Sequence, residues 1–351
     1  MKKTIALILA LCLTLALVAC GEKQPEAPKE AEYKLGMGIV LNMDSSKAEN
    51  AQVDATVAAV VLDAEGKIVS CRIDVAQNKM KVVGGAVDTA ATFKTKMELG
   101  SAYGMAGKVD NNGDGVMLEW DAQAKAFEEY VVGKTAAEVE GIQTQEAGGH
   151  LIAVDETLLK AGCSMQITDF IAAVAKACKD EQAQTFKTAA TFTLGVAAAT
   201  VADESTSAAA DKDGEVKMYT DFAAAVVADG KILAAVTDAV QPKITVNTLG
   251  DIVEKSFVAT KRELKEDYNM AKYGASMDNN GDGKVLEWYV QADAFVKYVV
   301  GKTGAEVKAM ATKTLDNGYV ISADDALLSA GCTIQITSMK DVVAAACDYA
   351  R

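Results

Sequence analysis

The second half of this chain repeats the first, which restricts the fold to two copies of one architecture. The hexapeptide DNNGDG occurs at residues 110–115 and again at residues 278–283. The segment YVVGKT at residues 130–135 likewise returns at residues 298–303. Because several such matches follow in the same order, they indicate a tandem duplication. We therefore predict two homologous domains, residues 33–181 and residues 182–351, each of the usual domain size.

Each copy mixes strand and helix patterns without strict alternation. Apolar, β-branched residues at 53–62 and 67–75 surround a turn, which predicts a β-hairpin with one buried face. The second copy has the matching segments 222–227 and 231–236 around Asp229 and Gly230. The apolar spacing over residues 120–132 predicts a helix that ends at Gly133. We therefore predict an α+β fold for both domains.

Threonines mark the starts of the later helices. Thr135 and Thr303 each precede a glutamate by three residues, the pattern of a capping box. Thr168 and Thr337 stand where an N-cap belongs, before apolar helices predicted at residues 169–178 and 338–347. The sequence therefore predicts a capped helix as the last element of each copy.

The N-terminus has the pattern of an export signal. Lys2 and Lys3 precede an apolar run over residues 5–19, shorter than the roughly 20 residues that span a bilayer. Small residues before Cys20 resemble the lipobox of bacterial lipoproteins, which implies cleavage before Cys20 and its acylation. The alternative is an ordinary secretory signal with a chance cysteine. We predict a signal peptide over residues 1–19, and a lipidated cysteine with a flexible tether over residues 20–32.

The composition excludes several classes of function. The chain has 35 Lys and Arg against 49 Asp and Glu, a net charge of −14, which opposes binding to nucleic acid. A single histidine and the absence of any serine-triad, Cys/His or zinc-type spacing argue against a turnover enzyme. The five cysteines that follow Cys20 are predicted to be buried free thiols.

A glycine-containing bend before the last helix is the candidate cofactor site. The first copy has AGCSMQIT at residues 161–168, and the second has AGCTIQIT at residues 330–337. A glycine lets exposed backbone amides approach an anion, a hydroxyl can donate to it, and the next helix adds a partial positive charge. The predicted anion-binding residues are Gly162, Cys163, Ser164 and Thr168, with Gly331, Cys332, Thr333 and Thr337 in the second copy. The alternative is a bend that only packs small residues against a helix.

With its hairpin and helices, this bend resembles the flavin mononucleotide (FMN)-binding domain of bacterial membrane-associated redox proteins. That family includes subunits of ion-pumping NADH–quinone oxidoreductases and lipoprotein immunogens. The resemblance implies FMN bound through its phosphate, with Thr333 at the position that the phosphate can esterify. Trp120, Tyr103 and Tyr130 recur in the second copy as Trp288, Tyr268 and Tyr298, and we predict that these aromatic residues are core.

The repeated acidic hexapeptide resembles the first half of an EF-hand calcium loop. Oxygen ligands at alternate positions and a central glycine suit Ca²⁺. Position twelve is Asp121 in the first copy but Tyr289 in the second, so an earlier glutamate would have to close the site. The predicted ligands are Asp110, Asn112, Asp114, Val116 and Glu119, with Asp278, Asn280, Asp282, Lys284 and Glu287 in the second copy. The alternative is a plain turn.

Together these features predict an extracytoplasmic lipoprotein, held at the bacterial cell membrane by acylated Cys20. Its two FMN-binding-like domains would serve as a flavin or ligand carrier, or as an electron-transfer accessory to a redox partner. The competing hypothesis is a flavin-free surface binding or adhesion module stiffened by calcium.

Overall fold

The computed structural model describes residues 29–256, 259–270, 272 and 278–351. The predicted signal peptide and Cys20 lie outside these residues. The described part contains both helices and strands in several antiparallel sheets, which confirms the α+β class. Within it, none of the helices combines the length and the apolar character needed to cross a membrane.

The first half begins with three long strands and continues with short helices and a small hairpin. Its elements are β1 (Ala31–Asn42), β2 (Asn50–Leu62), β3 (Ile68–Lys81), α1 (Lys96–Leu99), α2 (Trp120–Val131), α3 (Ala136–Glu140), β4 (Thr144–Ala147), β5 (His150–Ala153), α4 (Glu156–Lys160) and α5 (Thr168–Cys178). Short 3₁₀ segments occupy Val83–Gly85 and Gly100–Tyr103. The helix predicted over residues 120–132 is thus confirmed to within one residue.

The second half has the same order of major elements, with extra strands near its start. Its elements are β6 (Gln184–Thr188), β7 (Thr193–Val201), β8 (Gly214–Lys217), β9 (Tyr219–Ala228), β10 (Lys231–Val240), β11 (Lys243–Val246), β12 (Ile252–Ser256), α6 (Lys261–Leu264), α7 (Trp288–Val299), α8 (Gly304–Lys308), β13 (Thr312–Thr314), β14 (Val320–Ser322), α9 (Asp325–Ser329) and α10 (Thr337–Asp348). A 3₁₀ turn occupies Lys265–Tyr268. The connection between α5 and β6 contains the predicted boundary at residue 181.

Two antiparallel sheets dominate the described part, in the orders β3-β2-β1-β6 and β10-β9-β7. A smaller sheet, β12-β11-β8, lies beside them. The hairpin predicted in each half is present, and it turns at Gly66 and at Asp229–Gly230, where φ is positive. Strand β1 starts at Ala31, and Ala31 pairs with Thr188 of β6. Residues 31 and 32 therefore belong to a strand, and the tether predicted to reach residue 32 is two residues too long.

The two large sheets stack face to face and carry helices on their outer faces. Side chains alternate along a strand, so Val57 and Val61 of β2 join a core shared with the second sheet, while Ala58 and Val60 join a core formed with helices. The helix-side core of the first half includes Phe127 and Phe170, and the second half has an equivalent core under α7 and α10. The prediction of one buried face was wrong, because the other copy's sheet covers the face that a single copy would expose to water.

The last helix of each half lies unusually close to its sheet. A Cβ atom on Gly36 would stand 2.1 Å from the carbonyl oxygen of Ala177, and one on Gly195 would stand 1.8 Å from that of Ala346. Only glycine fits at these crossings, because a side chain would overlap the helix backbone. These contacts also define which positions of the two halves correspond.

The capping boxes at Thr135 and Thr303 form as predicted, with each threonine side chain accepting the amide of the glutamate three residues later. Thr168 and Thr337 do not cap their helices. Each is the first helical residue, and the N-cap positions belong to Ile167 and Ile336 without a side-chain bond. The predicted N-cap role was wrong because the helices begin one residue earlier than the pattern indicated.

Candidate functional site

The glycine bends place most of their predicted anion-binding residues inside the core, whereas Thr168, Gly331 and Thr337 are half-buried. Cys163, Ser164, Cys332 and Thr333 are all buried. In the first half, one acceptor, the Gln123 Oε1 atom of helix α2, takes hydrogen bonds from the amides of Ser164 and Met165, both at 3.0 Å. In the second half, Gln291 Oε1 accepts from the amide of Thr333 at 2.8 Å and from its hydroxyl at 3.1 Å.

Bonds within the protein engage the amides of residues 162–165 and 331–333, where the phosphate was expected. The glycine amides at 162 and 331 also bond, to the carbonyl groups of Leu159 and Leu328. The side of Gly162 where a Cβ atom would stand is filled, since Leu118 Cδ1 would be 2.4 Å away. The expectation of exposed amides was wrong, because a buried glutamine forty residues earlier in the chain supplies the acceptor. The residues of the bend do not fit a flavin phosphate, and they match the packing alternative.

The acidic hexapeptides form tight turns closed by their own hydrogen bonds. The Asp110 carboxylate accepts the amides of Gly113 at 2.8 Å, Asp114 at 3.2 Å and Gly115 at 3.0 Å. In the second copy, Asp278 accepts the amides of Asp282 at 3.1 Å and Gly283 at 2.9 Å. Asn112 and Asn280 each donate to the aspartate two residues later, and the amides of Val116 and Lys284 bond to those same aspartates.

The glutamates predicted to close these loops accept hydrogen bonds from other segments instead. Glu119 accepts the amides of Met105 at 2.8 Å and Ala106 at 3.1 Å, and Glu287 accepts that of Met270 at 2.9 Å. Burial raises the pKa of Glu119, but the amide bonds outweigh it and the pKa is lowered overall. Across residues 29–256, 259–270, 272 and 278–351, no three His, Cys, Asp or Glu side chains gather in a metal-binding arrangement. Calcium binding by these loops stays a prediction.

Two adjoining cavities in the second half form a different candidate site. Their volumes are about 300 Å³ and about 410 Å³. Tyr219, Gln241, Lys261 and Tyr268 line both cavities, so the two cavities adjoin each other. Volumes of this size are typical of small-molecule sites. We call the pair the aromatic cleft, with the smaller cavity as its inner end and the larger as its outer end.

Lys261 stands at the centre of the aromatic cleft between two rings. Its Nζ atom lies 5.0 Å from the ring centroid of Tyr268 and 5.2 Å from that of Trp288. Lys261 is the first residue of α6 and follows the N-cap Thr260, whose capping box with Glu263 fixes the start of the helix. Cation–π contacts of this length favour a charged ammonium group against an aromatic face. Lys261 and the two rings therefore form one preorganised wall.

The two ends of the aromatic cleft differ in charge. Asp203, Glu204 and Asp221 line the inner end, whereas four lysines and two carboxylates line the outer end. At the outer end, Lys217 and Lys243 contact the same Glu215 carboxylate, at 3.3 Å and 3.2 Å. Burial raises the pKa of Asp221, against the opposing effects of Lys261 and Ser338. The cleft can thus present hydrogen-bonding groups inside and positive charge outside.

Lys261 and Asp221 were not among the predicted site residues, and Trp288 and Tyr268 were predicted to be core residues only. A signal for the lysine was present, since TKMEL at residues 95–99 returns as TKREL at residues 260–264. The aromatic prediction holds for Trp120 and Trp288, which are buried, whereas Tyr103, Tyr130, Tyr268 and Tyr298 are only half-buried at the edges of the cores. Trp288 nevertheless also lines the aromatic cleft.

A larger cleft of about 750 Å³ lies where the two halves meet, but its charges are engaged with one another. Arg262 and Asp180 pair at 3.2 Å, and Lys265 and Glu181 pair at 2.8 Å. The remaining pairs on its rim are Lys176–Glu263 and Lys179–Glu140. Because each of these cations faces an acid of the protein, we assign this cleft to the junction between the halves.

Comparison with known proteins gives one partial similarity. Over 131 residues the chain is 30% identical to a protein named chlorophenol reductase from Desulfitobacterium hafniense. The match covers 32% of this chain and 38% of that protein. The chain is therefore similar to part of an enzyme over about a third of its own length. No family model and no solved structure matches the chain.

Proposed function

We propose that this protein is a lipid-anchored, extracytoplasmic binding protein that holds a planar aromatic molecule with an anionic group. FMN belongs to this class of ligand. The aromatic cleft is the single observation that carries the choice of ligand, because it combines ring surfaces, hydrogen-bonding groups and lysines in two adjoining cavities. In this role the protein is an accessory of a redox system and does not itself turn over substrate.

The chemistry of each end of the cleft supports this ligand class. A planar ring gains contact area against Trp288 and Tyr268. Asp221 and Gln241 offer acceptors to ring N–H or hydroxyl groups, which gives orientation. The outer end has four lysines against two carboxylates, and this excess of positive charge favours an anionic substituent such as a phosphate or carboxylate. A ligand that lies along the cleft would satisfy both ends at once.

The partial similarity to chlorophenol reductase supports a redox setting. The name of that protein describes reduction of an aromatic compound. Flavins are common carriers of electrons in reductions of this kind. A flavin-holding lipoprotein would therefore supply or store the carrier for a separate reductase.

Binding of FMN to the mature protein tests the proposal. FMN fluorescence and tryptophan emission should change in a saturable way. Lys261→Met should weaken binding about tenfold, or about 1.4 kcal/mol, because it removes an ammonium group that the cleft offers to an anionic ligand. Lys302→Met is the matched control, because Lys302 lies 4.3 Å from the Tyr298 ring outside the cleft. Absence of saturable binding, or equal loss in the control, would reject the proposal.

The membrane anchor has its own test. Cys20→Ala should abolish acylation and release the protein from the membrane fraction, because two or more acyl chains are needed for stable anchoring. Mass spectrometry of the purified N-terminal peptide would detect the acyl groups. An unmodified Cys20 in a membrane-bound protein would refute the lipoprotein assignment.

A further inference from the structure

The aromatic cleft has an equivalent position in the first half, and the strand register identifies it. Gly36 pairs with Val60, and Gly195 pairs with Ala225. Because both glycines cross the last helix in the same way, Val60 corresponds to Ala225. Counting back along the same strand, Thr56 corresponds to Asp221, and Asp54 to Tyr219.

The last helices correspond in the same way. Ala177 and Ala346 are the residues that the two glycines contact. Counting back from them places Phe170 opposite Met339, and Asp169 opposite Ser338. The central lysine is common to both halves, since Lys96 lies 4.9 Å from the Tyr103 ring and 5.4 Å from the Trp120 ring.

The first half fills this position with an aromatic ring. Phe170 meets Trp120 edge to face with a centroid separation of 5.9 Å, and it meets Phe127 at 5.5 Å. Trp120 and Phe170 are buried, as are their counterparts Trp288 and Met339, so the halves differ in the side chain at this position and not in its exposure. In the second half, Met339 takes the place of Phe170 and lines the inner end of the cleft beside Trp288. A thinner, flexible side chain therefore accompanies the open space.

The charges differ as well. Lys96 interacts electrostatically with Asp54 and Asp169, two carboxylates where the second half has Tyr219 and Ser338. The second half has one carboxylate, Asp221, where the first has Thr56. The inner end of the aromatic cleft also carries carboxylates, Asp203, Glu204 and Asp221, so the positive charge that favours an anion lies at its outer end, where four lysines stand against two carboxylates.

Resting on the proposed function, we infer that ligand binding is confined to the second half, with one planar aromatic anion per chain. Phe170, Asp54 and Asp169 close the equivalent position of the first half, so that half serves as scaffold. The protein thus contains two copies of one fold but only one binding site for this ligand. Met339 and Ser338 are the residues that keep the second-half site open.

Exchange of equivalent residues tests the inference with FMN as the probe. Equilibrium dialysis of the mature protein should give one FMN per chain. Ser338→Asp with Met339→Phe should weaken binding at least tenfold, and the matched control Asp169→Ser with Phe170→Met should keep the original site at full affinity. Two FMN sites of equal affinity per chain would overturn the inference. Loss of binding in Asp169→Ser with Phe170→Met, but not in Ser338→Asp with Met339→Phe, would also overturn it.

A second measurement does not depend on the ligand. The chain has 2 tryptophans, one at each equivalent position, so Trp120→Phe and Trp288→Phe give single-tryptophan proteins. Acrylamide should quench Trp288 more strongly than Trp120, and Met339→Phe should remove the difference. Equal quenching of the two would overturn the inference. Unequal quenching without FMN binding would support the asymmetry of the halves and reject flavin as the ligand.

Discussion

Asp74 and Asp238 are buried carboxyl groups that serve the fold. Asp74 Oδ1 accepts the amides of Val75 at 2.7 Å and Met97 at 3.1 Å. Asp238 Oδ1 accepts those of Ala239 at 2.7 Å and Arg262 at 3.1 Å. Each carboxyl thereby adds an acceptor to the first turn of α1 or α6. Burial raises the pKa of both groups to about 6, because desolvation outweighs these hydrogen bonds.

The raised pKa of Asp74 predicts a loss of stability as the pH rises. Between pH 4 and pH 6 the folded state keeps the proton and the unfolded state releases it, so the free energy of unfolding falls across this window. Asp74→Asn should remove up to about 3 kcal/mol of this pH dependence. Urea unfolding at pH 4.5 and pH 7 measures it, with exposed Asp316→Asn as control. If the free energy of unfolding of Asp74→Asn fell with pH as steeply as that of the wild-type protein, the prediction would be contradicted.

At the scale of elements, the buried glutamines join each helix to the bend that precedes the last helix. Gln123 accepts two amides of the bend and donates through Nε2 to the carbonyl of Leu118 at 3.0 Å. Gln291 repeats this arrangement by donating to Leu286 at 2.8 Å. Buried backbone amides need hydrogen-bond acceptors. In each half, one glutamine side chain supplies the acceptor for amides of the bend, which has no partner strand to do so.

Removing this acceptor should destabilise the protein without affecting its surface. Gln123→Leu leaves the amides of Ser164 and Met165 without their acceptor, at a cost of roughly 1–3 kcal/mol for each buried group. Chemical denaturation would measure the change. Gln145→Leu, at an exposed strand position, is the control and should change stability by less than about 0.5 kcal/mol. A loss in Gln123→Leu no larger than in the control would show that water or a rearranged bend replaces the glutamine.

At the scale of the whole molecule, the two halves share a core and an ion pair. Leu35 and Val61 of the first half belong to the same buried cluster as Leu194 and Phe222 of the second. Arg262 of the second half donates to the Asp180 carboxylate at 3.2 Å and to the carbonyl of Gln182 at 2.8 Å. Both side chains of this pair are about nine-tenths buried, with 9% and 10% exposure. The halves are therefore expected to unfold together.

Breaking this ion pair should be costly. Arg262→Met leaves Asp180 buried without its cation, and loss of one partner of a buried pair costs roughly 3–5 kcal/mol. Calorimetry should show a lower melting temperature and still a single transition. Lys265→Met is the control, because the Lys265–Glu181 pair is exposed and contributes about 1 kcal/mol or less. Two separate transitions in the wild-type protein would contradict the shared core.

Local patterns determined much of the fold. The hairpins, the helix from Trp120 and the capping boxes at Thr135 and Thr303 depend on residues that are near one another in the chain, so the sequence was sufficient. The mixed α+β class followed from the order of these elements. The resemblance of the bend to a flavin-binding motif did not extend to its amides, because their acceptor comes from a helix far away in the sequence.

Contacts between segments that are distant in the sequence were decided only by the tertiary structure. The second buried face of β2 exists because the other half's sheet covers it. The aromatic cleft exists because Met339 stands beside Trp288 where the first half places Phe170 beside Trp120. Sequence spacing records which residues share a face, but it carries no information on what packs against that face, since burial and cavities depend on the whole chain.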